Sequence, residues 1–238
     1  MPSRENHRSG PDEQALWLLE GEITECRRCP RLVAWREGIA LDPPASHRGE
    51  TYWARPVPSL GDAGGRLVVV GLAPAANGGN RTGRMFTGDR SGDFLFAALF
   101  RAGFANQPTS TQIDDGLVLR DCFITAALRC CPPENRPTTG ERDNCFPYLE
   151  RVLSLLREKR VVVCLGAFAY DATWRALVPK RRPPKPKFAH GIEVPAPGAN
   201  GDLSIVCSYH PSQRNVFTGL LTTEMFDDVF RLAAARLC

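Results

Sequence analysis

The sequence predicts an α/β fold, a three-layer α/β/α sandwich around a central, mainly parallel four-stranded sheet. Two observations carry this. Four short apolar runs rich in β-branched residues, at 67–70, 122–127, 161–165 and 203–208, read as buried strands. Each is followed by a segment with apolar residues at helical spacing, at 91–102, 139–159, 167–177 and 223–237. Strand and helix alternating in this way bring each strand back in the same direction. The ligand site of such a sheet lies at the carboxyl ends of its strands.

The remaining segments fit around that frame. Residues 1–11, MPSRENHRSGP, are polar and are expected to form a tail. A helix is expected over 12–25, where Leu16, Leu19 and Ile23 share one face, and it would deliver Cys26 and Cys29 to the body. Residues 41–65, rich in Pro, Gly and aromatic side chains, read as an ordered surface loop. Thr138 with Glu141 three residues on is a capping-box signature for the helix over 139–159. The stretch PKRRPPKPK, residues 179–187, sets five basic residues among four prolines and reads as an extended solvated loop, with phosphate contact as the alternative.

With 238 residues and 43% hydrophobic content, the chain can bury one sizeable core. A single domain over 1–238, monomeric, is therefore expected. The net charge of +4 permits a polyanionic partner without demonstrating one. The N-terminus has no apolar signal region, and no stretch approaches the roughly 20 apolar residues of a membrane span, so a cytoplasmic protein is expected. In that compartment the nine cysteines point away from disulfides, and for some of them metal ligation is the leading reading.

Cys26 and Cys29 form a C-x2-C pair set among arginines, and Cys130 and Cys145 follow about a hundred residues later. Thiolate pairs of this kind close zinc sites and iron–sulfur clusters, and spacing does not separate the two. Cys122, Cys164 and Cys207, inside apolar runs, read as ordinary buried thiols.

Two loops carry candidate chemistry. After the first strand comes GLAPAANGGNRTGRMFTGD, residues 71–89, whose glycines let backbone approach a ligand closely. It has neither the GK[ST] ending of a P-loop nor the GxGxxG order of a dinucleotide site, although Arg81 and Arg84 favour an anion. After the fourth strand comes SYHPSQRN, residues 208–215, with His210 at the carboxyl end of the strand and opposite the glycine-rich loop.

Together these segments resemble the uracil-DNA glycosylase superfamily and, within it, the family 5 (type-b) enzymes of bacteria and archaea. The resemblance rests on CRRCPRLVAWRE from Cys26, YWARPVP from Tyr52, the 71–89 segment, RCCPPENRPT from Arg129, NCFPYL from Asn144, and the His210 segment. It implies a uracil-DNA glycosylase-like sandwich that binds double- and single-stranded DNA, flips out uracil and hydrolyses its N-glycosidic bond, starting base excision repair. Hypoxanthine and other deaminated bases are expected substrates too. The resemblance further implies a [4Fe-4S] cluster on Cys26, Cys29, Cys130 and Cys145, with Cys131 a neighbouring non-ligand.

By the same resemblance, Asp89 handles the attacking water, Asn135 and His210 act at the base, and Phe86 stacks on the extruded base. Gly71, Ala73 and Asn80 join Phe86 in substrate binding, and Arg81, Arg84, Arg136 and Arg214 flank the pocket as phosphate contacts. Two departures from the usual motifs involve three positions. Leu72 and Ala73 stand where sister families carry a polar catalytic residue, which throws the burden onto Asp89 and Asn135. Asn77 stands where the type-b motif has histidine. The competing reading is a non-catalytic iron–sulfur module that binds nucleic acid.

Overall fold

The computed structural model describes residues 10–178, 184–196 and 203–238. Helices α1 (Pro11–Thr24) and α2 (Pro30–Leu41) lead into strands β1 (Leu60–Gly61) and β2 (Leu67–Gly71). A short helix α3 (Gly79–Thr82) and helix α4 (Arg90–Arg101) precede β3 (Cys122–Ala126), and α5 (Thr139–Leu155), β4 (Val161–Leu165) and α6 (Ala167–Leu177) follow. The described chain ends with β5 (Glu193–Pro195), β6 (Ser204–Ser208), α7 (Gln213–Phe217) and α8 (Thr223–Ala235).

Strands covered on both faces must be apolar throughout, and every residue of β2, β3 and β4 is buried. These three and β6 form the parallel centre of a sheet in the order β1-β3-β2-β4-β6-β5. The expected four strands thus lie inside a six-stranded sheet. The two additions, β1 and β5, are short antiparallel edges with the sequences LG and EVP, which hold no periodic apolar signal. The loop expected over 41–65 supplies β1.

Side chains alternate across each strand, and this sorts the core into two halves. Leu67, Val69, Ile124, Val163 and Val206 pack with α4 and α8, through Leu95, Leu99, Phe226 and Phe230. Val68, Val70, Phe123, Val162 and Ile205 face the other way, toward Leu16, Leu19 and Ile23 of α1, Leu149 and Val152 of α5, and Tyr170 of α6. Helices therefore cover both faces, as a parallel sheet requires.

Helix α2 has no counterpart in the sequence reading. It starts well, with Cys29 at the N-cap and Pro30 in the first turn, but it buries only Leu32 and Arg36, so no apolar stripe marks it. Arg31 on α2 clamps it to α5 through two 2.7 Å bonds to the carboxylate of Glu141. Helix α5 stops at Leu155, short of the expected 159. Residues 1–9 of the expected tail lie outside the described residues, and Pro11 already opens α1. Of the PKRRPPKPK stretch, residues 179–183 also lie outside them. The exposed end of that stretch is pinned to α6, where Lys185 pairs with Asp171 and Tyr170 donates to the Pro186 carbonyl at 3.0 Å. Among the described residues no helix is long and apolar enough to cross a membrane.

The capping box at α5 is present: the Glu141 N–H donates to Thr138 Oγ1 at 3.3 Å, and the Thr138 N–H donates to Glu141 Oε2 at 2.8 Å. Thr138→Ala should cost about 0.5–2 kcal/mol, read as a lower urea midpoint with an unchanged m value.

Candidate active site

Between β2 and α4 the chain folds back on itself, and three glycines make the room. A Cβ on Gly71 would stand 2.6 Å from Cζ of Phe86, and one on Gly78 would stand 2.0 Å from Oδ2 of Asp89. A Cβ on Gly92 would collide with the Phe86 carbonyl oxygen at 1.8 Å. Phe86 itself is left-handed, with φ 51°. Its ring is held over the end of β2 by backbone that a side chain at 71 or 92 would displace.

Asp89 is the N-cap of α4 and accepts from the Gly92 N–H at 2.9 Å. Burial raises its pKa above the ordinary carboxylate value, and the N–H groups of Gly92 and Ser91 offset only part of that rise. The opposite wall comes from the loop after β6. There the Asn215 side-chain amide donates to the His210 carbonyl at 2.9 Å, and Gly166, at φ 91° after β4, leaves space for the His210 Cβ. Burial pushes the His210 imidazole down to about 4, so the ring is neutral at pH 7. The Phe86 and His210 ring centroids are 6.4 Å apart.

The third wall is the tight turn Pro133–Asn135, in which Glu134 and Asn135 are both left-handed, at φ 53° and 57°. Consecutive left-handed non-glycine residues store strain, which is found where a site fixes a side chain. Ala73, Phe86, Asp89, Asn135, His210 and Arg214 thus line one cavity of about 420 Å³, within the size range of small-molecule sites. Leu72, Met85, Ser91, Ser212 and Gln213 line it as well. Of these five, sequence singled out only Leu72, for the apolar surface it presents where sister families carry a polar residue. The position of Ser212 and Gln213 just after His210 was the available signal.

Four expected residues sit elsewhere. Gly71 lies beneath Phe86 rather than in the cavity wall. Asn80 is buried, and its amide donates to the Arg36 carbonyl at 3.3 Å. Arg84 is also buried, bonded to Asp115 at 2.6 Å, Ser110 at 2.8 Å and Thr87 at 3.0 Å, so it is a loop strut and not a phosphate contact. Burial alone would raise Asp115, but Arg84 and three backbone N–H groups outweigh it and bring the carboxyl down to about 2. Arg81 is taken up by Glu50, which precedes β1, and by the Asn77 and Gly88 carbonyls of its own loop. Arg136 and Arg214 are exposed. Asn77 accepts from the Tyr52 hydroxyl at 3.0 Å and takes no part in the cavity wall.

Cys26, Cys29, Cys130 and Cys145 line a second, separate cleft together with Arg36 and Arg129. Among the described residues no three Cys, His, Asp or Glu side chains converge as a single-ion site. Burial pushes Cys130 up to about 11 and Cys145 up to about 12. Cys131 is buried outside this cleft.

Residues 58–234 match the family model described as the uracil DNA glycosylase superfamily. The chain belongs to that superfamily. It is 49% identical over 216 residues to the type-5 uracil-DNA glycosylase of Mycobacterium tuberculosis, a match covering 90% of this chain and 79% of that protein. To the type-5 enzyme of Thermus thermophilus it is 47% identical, over 90% of this chain and 94% of the relative. The type-4 uracil-DNA glycosylase of Archaeoglobus fulgidus is 32% identical over 62% of this chain and 58% of its own length.

For a chain of this superfamily, the pocket's two titratable groups carry opposite stability signatures. Asp89 has a folded pKa above its unfolded value, so its ionisation costs stability, and that cost fades as pH falls through the folded value to the ordinary carboxylate range. His210 has a folded pKa below its unfolded value, so stability is lost as pH drops from about 6.5 to about 4. Asp89→Asn keeps a good N-cap and removes the charge. Its urea midpoint should exceed wild type at pH 7, and the difference should shrink toward pH 4.

Proposed function

We propose that this chain excises uracil from DNA by hydrolysing the N-glycosidic bond of a base flipped into the Asp89–His210 cavity. The observation that carries the proposal is one cavity holding a half-buried carboxylate, a neutral imidazole and an aromatic ring. Glycosidic cleavage builds positive charge on the sugar and negative charge on the leaving base, and it needs groups matched to both. The Asp89 carboxylate faces the sugar, stabilises its positive charge and takes the proton of the attacking water. As the water oxygen bonds to C1′, the C1′–N bond breaks and its electron pair leaves with the base. A neutral His210 donates an N–H to the base oxygen where that charge collects. Phe86 offers its ring face to the flipped base, and Asn135 offers an amide to its polar edge.

The same geometry supports a wider substrate range. Leu72 and Ala73 present apolar surface and no hydrogen-bonding selector, so a larger deaminated purine such as hypoxanthine is not rejected by an unpaired polar group. Arg136 and Arg214, exposed beside the cavity, are the phosphate contacts on double- or single-stranded DNA.

The second cleft fits a [4Fe-4S] cluster on Cys26, Cys29, Cys130 and Cys145. Support comes from the four-thiol donor set and from buried guanidinium atoms of Arg36 and Arg129 that lack partners. Such a cluster would tie the C-x2-C segment to β3 and α5, as a structural clamp remote from the reacting atoms.

Single-turnover excision with saturating enzyme, on matched uracil and hypoxanthine duplexes, tests the first reading. His210→Ala should slow uracil release on the order of 100- to 1000-fold, as removal of one preorganised donor typically does. Asp89→Ala should slow release of both bases, and Asn135→Ala should harm hypoxanthine at least as much as uracil. Intact DNA with wild-type enzyme would favour the non-catalytic nucleic-acid-binding module, and an undiminished Asp89→Ala rate would remove the acid from its role.

Iron analysis tests the second reading. The purified protein should be brown, with broad absorption near ~400 nm, and Cys145→Ala should lose much of its folded yield. A colourless, folded protein with stoichiometric zinc would sink the iron assignment.

A further inference from the structure

Arg36 is one of the most buried side chains of the molecule, 1% exposed, although it carries a charge that cannot be given up. Its Nη1 donates to the Cys130 sulfur at 2.9 Å and to the Cys26 carbonyl at 3.3 Å, and its Nε has no partner. The nearest carboxylate, Glu37, is 3.9 Å away and is already held by two bonds from Arg27. On the same cleft, Arg129 is 2% exposed, and its Nε and Nη2 are likewise unpartnered. Glu20 partly answers Arg129, at 3.5 Å, whereas Arg36 has no comparable counter-ion.

Burying a cation without a counter-charge is strongly unfavourable. Uncharged cysteines do not relieve that cost. An iron–sulfur cluster with four thiolate ligands does, because in its common oxidised state it carries a net charge of about −2. We infer that Arg36 is the counter-charge of the four-cysteine site, donating to the Cys130 sulfur and holding the anionic thiolate-ligated cluster in the buried cleft. This rests on the iron–sulfur reading of that cleft. Nη1 and Nη2 both reach the Cys26 carbonyl as well, at 3.3 and 3.4 Å, so the guanidinium spans from the C-x2-C segment to the Cys130 sulfur.

The test uses the full-length, iron-loaded protein with Arg36→Met and Arg36→Lys, read by resonance Raman of the iron–thiolate stretch and by the rate of iron release to a chelator. Loss of an outer partner of a metal ligand typically costs 10- to 100-fold in metal affinity. Arg36→Met should therefore release iron about 10- to 100-fold faster, with its stretch moved to higher frequency because the N–H to sulfur bond is gone. Arg36→Lys, which keeps the charge, should lie between the two. Wild-type release rate and Raman bands in Arg36→Met would overturn the inference, as would an Arg36→Lys protein no better than Arg36→Met. Should Arg36→Met take up no iron, Arg36→Lys is compared with Arg36→Gln. Slower release from the lysine protein supports a counter-charge, and equal rates overturn it. Wild type free of iron would strike the cluster reading itself, while iron-loaded wild type beside an unaffected Arg36→Met strikes only the role of Arg36.

Discussion

The close approach of the chain to itself between β2 and α4 is the constraint on which the pocket depends. A ring and a carboxylate must occupy space that a Cβ at Gly71 or Gly78 would fill. Because Asp89 caps α4, and α4 buries Leu95, Phe96 and Leu99 in the core, the carboxylate is fixed by the packing of the whole upper layer. The loop therefore needs little support from its own side chains at the cavity. Its polar residues can be spent inward, as Arg84 is on Asp115 and Thr82 on the Gly78 carbonyl.

Burial acts on both titratable groups of the pocket, and it acts in opposite directions because it always disfavours the charged form. It raises Asp89 and lowers His210. At neutral pH the imidazole is uncharged, and the carboxylate carries its charge less readily than an exposed one would. The pair is suited to a reaction in which positive and negative charge separate within one small cavity. A protonated histidine in the same cavity would oppose the carboxylate that is proposed to face the sugar cation. The raised pKa of Asp89 is thus a consequence of the same placement that puts it in the cavity wall.

Much of this architecture is legible in the sequence, for physical reasons. The four parallel strands announce themselves because burial on both faces demands unbroken apolar runs, and the Thr138–Glu141 box shows itself because capping needs particular residues three apart. The edges β1 and β5 do not, since two or three residues carry no period. Helix α2 hides behind Arg36, a charged residue at a buried position. At the site, residue type told what Arg84 and Asn80 could do but not which way they point. Arg84 turns inward because Asp115 and Ser110, far along the chain, converge on it, and nothing local encodes that meeting. Glycine-rich sequence, by contrast, was informative once tied to a strand end, since the bulky neighbours that need the space lie in the same loop.

The two clefts are parts of one mechanical unit. Cys29 caps α2, and seven residues on in that helix the Arg36 carbonyl accepts from Asn80 in α3. Asn80 in turn accepts from the Ala54 N–H and donates its own N–H to the Ala75 carbonyl, so it is sewn into the loop that carries Phe86 and Asp89. On the other side, Cys130 stands five residues before Asn135, and the strained turn is followed directly by α5, which holds Cys145 and is clamped to α2 by Arg31. Helix α2, which Cys29 caps, is thus bonded both to α5, through Arg31 and Glu141, and to the loop bearing Asp89, through the Arg36 carbonyl and Asn80. The four cysteines are therefore connected to two of the cavity walls by short paths, through Asn80 to the loop bearing Asp89 and through residues 130–135 to the turn bearing Asn135.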